Sequence, residues 1–546
     1  MGIPSYFVHI IKSHRNIIKD YNINKIHINN LYLDSNSLIY DAISEIKFIN
    51  NNDFESKLLD AICAKLAAYI NIIKPSNKVF IAFDGVAPVA KLSQQKNRRY
   101  KAWFTDEVLR EIAKNEKNQE KEEHQENQEN PELDVGRWNS ASITPGTKFM
   151  DKLDIKINSY FKNAKDFNVD ELIVSSSKKV GEGEHKIFDF IRDNSAYHAT
   201  TSTAIYGLDS DLIMLTLNHL EYSDKLYLFR ETPFFIKNID SSLSANTYYL
   251  LDIPEFADKL AHEMTGQKDL TPEIKMRLVK DYVFMFFLLG NDFMPHFPAL
   301  NIRTKGIDIL LNIYNKNNAK LDCFLTSPAK TIIWKNLKKI IDYLSNNEDK
   351  LLADEFFIRD KWEKRKYNVD TQQEKFMNTP IFERTIERTM NPSEEGWEYR
   401  YYKQLFKLDI NNDRLKLICV NYLTILEWNF KYYNSGCPDW RYKYNYNYPP
   451  LFKDLYKYIP YFDTNFLDTT KDKEGPISEY MQLAYVLPKN SLNLLPKNIE
   501  NLLLKNYPDY YRLDYEFEWA FCKFFWESHV IWDQSLLRDK SLMIPF

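Results

Sequence analysis

The sequence predicts an α/β protein: a parallel sheet interleaved with helices, followed by a mostly helical second region. Two observations carry this reading. Short β-branched or aromatic runs at Lys25–Asp34, Lys78–Asp84, Glu171–Ser175, Ala204–Asp209 and Lys225–Arg230 alternate with segments of helical apolar spacing, such as Lys57–Ile73 and Glu184–Ile191. Strands separated by helices are the pattern of a parallel sheet, because each parallel connection has to cross back over the sheet face. From about Pro328 the chain turns rich in Tyr, Trp and Lys, with helical spacing at Ile332–Leu344 and a Pro-punctuated aromatic stretch at Tyr432–Leu451. A boundary is expected between Asn317 and Lys335, dividing the chain into 1–325 and 326–546. No linker-like stretch separates the two, so they should pack tightly.

Composition narrows the class. The chain has 546 residues with 44% hydrophobic and 27% charged, an ordinary globular balance. The net charge of −4 excludes a uniformly basic nucleic-acid coat but not a local basic pocket. Five scattered cysteines (Cys63, Cys323, Cys419, Cys437, Cys522) form no CxxC pair and no zinc spacing, and read as unpaired thiols of a reducing compartment. No run is long and apolar enough to span a membrane, and the N-terminus reads as neither a signal peptide nor a myristoylation site. A cytoplasmic protein is expected, with the nucleus left open. The polar run Asn115–Asn130, inside a charged insert at 105–135, reads as a solvated helix end or loop.

Carboxylates stand where strands stop. Asp34 ends NLYLD, Asp84 ends VFIAFD, and Asp209 ends AIYGLD with Asp211 two residues on. Glu182 and Glu184 flank Gly183 in VGEGEHK, and Asp292 lies in the turn of FLLGNDFMPH. Strand carboxyl ends in open parallel sheets line the ligand crevice, so these acids should converge. Singly, each is explained as well by a turn or a helix cap; seven together are not. Converging carboxylates repel and call for cations. Hard oxygen ligands with few histidines suit Mg²⁺ or Mn²⁺, and two such ions can clamp the attacking and leaving oxygens of a phosphodiester. His185 reads as a hydrogen-bonding residue at a helix start. The GEG element lacks the rest of a dinucleotide loop.

A basic face follows the second acidic strand. In DGVAPVAKLSQQKNRRYKAW, Lys91, Gln95, Arg98 and Arg99 fall at i, i+4, i+7 and i+8, one side of a helix that Pro88 is suited to open. Three cations and an amide there make either a phosphate pocket or a solvated charged face.

The blocks MGIPSYF, NLYLDSNSLIY, FIAFDGVAPVAKLSQQKNRR, ITPGTKFM, GEGEHKIFDFI, YGLDSDLIMLTL and FLLGNDFMPHFPAL resemble, in order, the signature blocks of the XRN family of 5′→3′ exoribonucleases. The later blocks GWEYRYYKQLF, YYNSGCPDWRYKYNYNYPPL, YVLPKNSLNLLP and YEFEWAF resemble it too, so the likeness runs to about Trp532. The resemblance implies a PIN/FEN-like α/β nuclease core covered by a helical region, close to a minimal core without the long C-terminal extension or a zinc knuckle. It implies metal-binding roles for Asp34, Asp84, Glu182, Glu184, Asp209, Asp211 and Asp292, holding two Mg²⁺ ions for which Mn²⁺ can substitute. It implies a 5′-monophosphate pocket at Lys91, Gln95, Arg98 and Arg99, and places Pro88 where duplex is pried open. Two positions depart from the family pattern: Tyr40 stands where a base-stacking His is usual, and Val89 where Arg is common. Trp440 is the candidate second stacking aromatic, with a plain core role as its alternative. The expected activity is stepwise hydrolysis of 5′-monophosphorylated single-stranded RNA by a monomer. A flap-type DNA nuclease and a catalytically inactive RNA-binding scaffold are the rival readings.

Overall fold

The computed structural model describes residues 5–21, 26–46, 50–123, 138–231, 239–244, 247–365, 369–468, 474–512 and 516–531. Met1–Pro4 of the first signature block, Lys25, the polar run beyond Glu123 and Trp532 lie outside the described residues.

Seven strands form one sheet: β1 (Ile18–Asp20), β2 (Asn30–Asp34), β3 (Lys78–Ala82), β4 (Glu171–Ser175), β5 (Thr203–Tyr206), β6 (Leu226–Glu231) and β7 (Tyr248–Asp252), in the order β1-β7-β6-β5-β2-β3-β4. β2 to β6 are parallel, and β7 and β1 close one edge antiparallel. The chain runs outward from β2 through β3 to β4, then returns to lay β5 on the other side of β2. That reversal opens a crevice at the carboxyl ends of β2, β3 and β5.

The expected strands are present with shorter bounds. β2 starts at Asn30 instead of Lys25, and Asp84 and Asp209 follow their strands by two and three residues instead of ending them. At Asp84 the ladder stops because the backbone finds other partners: its N–H donates to the Asn36 side chain at 3.1 Å, and Gly85 N–H to Gly181 O at 2.9 Å. The antiparallel strands β1 and β7 were not identified from the sequence; at β1 three residues are too few to show a period.

Alternation across the strands builds two cores. Leu31, Leu33, Val79, Ile81, Ala204 and Tyr206 face one side, packed by the helices Asn51–Ile73 and Lys148–Tyr160. Tyr32, Phe80 and Ile205 face the other, packed by the helices Gly183–Asp193, Asp211–Asn218, Ile253–Thr265 and Pro272–Phe286. Successive strand side chains point to opposite faces, so both faces of a covered parallel sheet are apolar.

The second region is mostly helical as expected, with long helices at Trp334–Asn346, Glu348–Glu363 and Asn412–Ser435 and one small ribbon, β8 (Glu516–Glu518) with β9 (His529–Ile531). The expected boundary falls inside a continuous core that contains both Leu325 and Trp334. A third core joins Val86, Ala87 and Leu92 to Leu483, Val486, Leu487 and Leu503 of the second region. Among the described residues, no helix is long and apolar enough to cross a membrane.

Asp281 anchors the crossing between the two regions. Its fully buried carboxylate accepts from Leu325 N (2.8 Å), Thr326 N (2.8 Å), Thr326 Oγ1 (2.6 Å) and Tyr314 OH (2.7 Å). Burial pushes this carboxyl up to about 6 against those four donors. Asp281→Ala would leave all four donors unpaired, each worth roughly 1–3 kcal/mol when buried. The variant should lose about 3 kcal/mol or more of stability, read as a lowered urea midpoint.

Candidate active site

The seven predicted carboxylates gather in the crevice. Asp34 leaves β2 at the floor, and Asp84 follows β3. Glu182 is the N-cap of the helix Gly183–Asp193, with Glu184 in its first turn. Asp211 begins the helix Asp211–Asn218, and Asp292 follows the turn at Phe287–Leu289. Asp34, Glu182, Glu184, Asp211 and the Asp292 carboxylate are buried or nearly so, whereas Asp209 is exposed at the rim.

Gly183 allows this approach. A Cβ there would lie 2.6 Å from Asp34 Oδ1 and 3.5 Å from Asp84 Oδ1. Its N–H instead donates to Asp84 Oδ1 at 2.7 Å, so the positive helix end faces the acids. Asn36 holds the other Asp84 oxygen, Nδ2 to Oδ2 at 2.7 Å.

Charge is the dominant problem of the site. Burial, then Asp84, Asp209 and Glu182, push the Asp34 carboxyl well above the usual carboxylate range. Burial, then Glu182 and Asp211, do the same to Glu184, and burial with Asp292 raises Asp211 to about 7. Lys91 answers part of this, its Nζ lying 2.6 Å from both Glu182 Oε1 and Asp292 Oδ2. Burial would raise Asp292, but the Lys91 ammonium holds it at about 2. Asp34 Oδ1 remains buried without a hydrogen-bond partner. A crowded all-oxygen set with an orphaned carboxylate oxygen fits a hard divalent cation.

His185 is not the hydrogen-bonding residue expected. Both its ring nitrogens are buried without partners, and the ring stacks on Tyr432 with centroids 3.7 Å apart. One ring nitrogen lies within 4.8 Å of a carboxylate oxygen of Glu182 and of Glu184.

The basic residues sit on the helix Val89–Glu123, as the spacing predicts. They divide in two. Lys91 points among the acids. Arg99 donates to Thr144 Oγ1 at 2.7 Å and to Gln95 O at 3.2 Å, and burial lowers it to about 10. Gln95 Oε1 is buried and unpartnered. Arg98 is exposed, its guanidinium 5.0 Å from the centre of the Tyr40 ring. Burial opposes the Arg98 charge, while Tyr40, Asp209, Asp292 and Asp84 sustain it.

Tyr40 is 38% exposed while Leu38 and Ile39 beside it are fully buried, so its ring does not share their core. Trp440 is half-buried; its carbonyl accepts from Val89 N at 2.9 Å and its ring reaches Gly181. Pro88 is buried, its carbonyl accepting from Lys91 N at 2.9 Å. The wedge role implied for it therefore has no exposed ring to act through.

The profile described as XRN 5'-3' exonuclease N-terminus matches residues 1–232, and that described as Xrn1 helical domain matches residues 274–393 and 383–530. The chain belongs to the XRN family. Similar curated proteins include the 5'-3' exoribonuclease 2 homolog of Drosophila melanogaster, 27% identical over 90% of this chain and 64% of the relative. The 5'-3' exoribonuclease 1 of Saccharomyces cerevisiae is 26% identical over 90% of this chain and 40% of its own length, and that of Homo sapiens 27% over 90% and 31%. This XRN chain thus spans less than two thirds of each of these relatives.

Four residues of the XRN site escaped the sequence reading. Asn36 orients Asp84, Thr144 fixes Arg99, and Lys186 donates to Phe83 O (2.7 Å) and Ser176 O (2.9 Å), bracing the loops behind Asp84. Tyr432 donates to Glu182 Oε2 at 3.0 Å. All four lie in the blocks quoted above, Asn36 in NLYLDSNSLIY, Thr144 in ITPGTKFM, Lys186 in GEGEHKIFDFI and Tyr432 in YYNSGCPDWRYKYNYNYPPL, but nothing local pairs Tyr432 with Glu182, 250 residues away.

Gly183→Ala tests the packing of the acids. The added methyl collides with Asp34 Oδ1, so the folded variant should bind Mn²⁺ at least tenfold more weakly in an equilibrium titration, since disturbing the groups that orient metal-binding carboxylates costs about 10–100-fold.

Proposed function

We propose that this chain is a 5′→3′ exoribonuclease that releases nucleoside 5′-monophosphates stepwise from single-stranded RNA bearing a 5′-monophosphate. The observation that carries the reading is the gathering of seven carboxylates in one sheet crevice with a basic helix one turn away, in a chain of the XRN family. Relatives named 5'-3' exoribonucleases support it.

In this reading residues 1–325 carry the chemistry and residues 326–546 close the site, in a monomer. Arg98, Arg99 and Gln95 receive the terminal phosphate; the unpartnered Gln95 Oε1 and the Thr144 contact of Arg99 mark the pocket wall. Tyr40, exposed beneath Arg98, offers its face to the first base, and Trp440 offers a second face across the crevice. Lys91 stands between the two sets, holding positive charge against Glu182 and Asp292 at one end of the scissile link. Asp34, Asp84, Glu182, Glu184, Asp209, Asp211 and Asp292 hold the cations. Two Mg²⁺ ions, or Mn²⁺, supply when bound the Lewis acidity that activates water and stabilises the leaving oxygen. Held this way, each terminal phosphate sets the next phosphodiester at a fixed distance from the acids, which makes cleavage stepwise from the 5′ end.

End-labelled RNA carrying a 5′-monophosphate, triphosphate or hydroxyl tests the reading, with matched DNA strands beside it. The monophosphate RNA should be degraded preferentially, and Arg99→Ala should lower kcat/KM on it about tenfold or more while narrowing its advantage over hydroxyl ends. Equal use of all three ends, or a preference for flapped DNA, would overturn it.

Tyr40→Ala should slow stepwise degradation and release partly digested RNA, since base–aromatic stacking is worth about 1–3 kcal/mol. Tyr40→His should restore most of the activity by returning a ring. Product lengths on a long 5′-monophosphorylated RNA read this directly, and unchanged processivity in folded Tyr40→Ala would end the stacking role.

A further inference from the structure

Glu182 is held from both sides. Its Oε1 meets Lys91 Nζ at 2.6 Å, and its Oε2 accepts from Tyr432 OH at 3.0 Å. Tyr432 belongs to the helix Asn412–Ser435 of the second region. Its ring is clamped: His185 stacks on it at 3.7 Å, Trp428 lies tilted at 4.7 Å, and Phe293 meets it edge-on at 5.3 Å. Phe293 follows Asp292, and Lys91 Nζ lies 5.2 Å from its ring centre. The Tyr432 hydroxyl therefore has little freedom to point elsewhere.

From these contacts we infer that Tyr432 is a positioning residue for the metal-binding carboxylate Glu182, contributed by the helical region to a site otherwise built on the sheet. A phenol is protonated at neutral pH and donates one hydrogen bond. By occupying Oε2 it fixes the rotation of the carboxylate, whose Oε1 lies toward Lys91. Outer partners that orient a ligating carboxylate set metal affinity as ligands themselves do.

The same helix continues the link. Trp428 Nε1 donates to Asp439 O at 2.7 Å, one residue before Trp440, whose carbonyl accepts from Val89 N at the start of the basic helix. Tyr432 and Trp428 thus tie Glu182, the Trp440 loop and the basic helix into one frame.

The inference rests on the metal role proposed above for Glu182, and its test does not depend on RNA hydrolysis. The full chain is titrated with Mn²⁺, free Mn²⁺ being followed by electron paramagnetic resonance, and the Mg²⁺ dependence of hydrolysis is measured alongside. Tyr432→Phe keeps the three ring contacts and removes only the hydroxyl. It should weaken Mn²⁺ binding about tenfold and raise the Mg²⁺ needed for half-maximal rate by a similar factor, with KM for RNA unchanged. Tyr422→Phe is the control: that hydroxyl, on the same helix, is buried without a partner, and its loss should alter neither value. In a Glu182→Gln background Tyr432→Phe should add nothing. Wild-type Mn²⁺ affinity in folded Tyr432→Phe, or an undiminished further loss on top of Glu182→Gln, overturns the inference. Weakened Mn²⁺ binding supports it even if no RNA is cleaved, an outcome that would sink the exoribonuclease reading alone.

Discussion

Like charge buried at one edge of a sheet is the constraint around which this molecule is organised. Burial, and then the neighbouring acids of the site, push the carboxyls of Asp34, Glu182, Glu184 and Asp211 upward, a cost that calls for compensation. The compensation comes from four directions: the Lys91 ammonium, the Gly183 N–H at a helix start, the Asn36 amide and the Tyr432 hydroxyl. Each arrives on a different element. Moving any one of those elements exposes an acid to its neighbours, so the site and the packing around it are mutually dependent. The orphaned Asp34 Oδ1 shows where compensation by the chain itself stops.

That dependence explains why two regions behave as one body of structure. The basic helix is gripped along its first turns by the second region: Ala87 N donates to Gln482 Oε1 at 3.0 Å, Tyr100 OH to Leu487 O at 3.1 Å, and Val530 N to Asn97 Oδ1 at 3.1 Å. Buried Lys96, between Gln95 and Asn97, lies over the Tyr510 ring at 3.9 Å. A helix held on one side by these contacts presents its other side, with Lys91, Gln95 and Arg99, in a set direction. Elsewhere in the same core, Asp281 collects four hydrogen bonds from the crossing at Tyr314, Leu325 and Thr326. The boundary visible in composition is therefore not a boundary in packing.

The residues that carry recognition and those that carry chemistry also lie at different depths. Arg98, Tyr40 and Asp209 reach solvent, whereas Glu182, Glu184 and Asp211 do not. A polyanion approaching the exposed set meets positive charge and an aromatic face before it meets the acids.

What the sequence determined by itself was local. Strand and helix periods placed β2 to β6 and the basic helix, because alternation and 3.6-residue spacing are properties of a few consecutive residues. The seven acids were legible because each sits beside its own strand end or glycine turn, and the topology of a parallel sheet brings such ends together. Only the tertiary structure decided which partners those acids have. It turned Lys91 toward Glu182 and Asp292 while Arg99 took Thr144, it buried Pro88, and it left His185 stacked without a hydrogen bond. It also brought Tyr432 to Glu182 across 250 residues. A helix face specifies a direction, but which group meets it depends on what packs there from distant chain, and no local period encodes that.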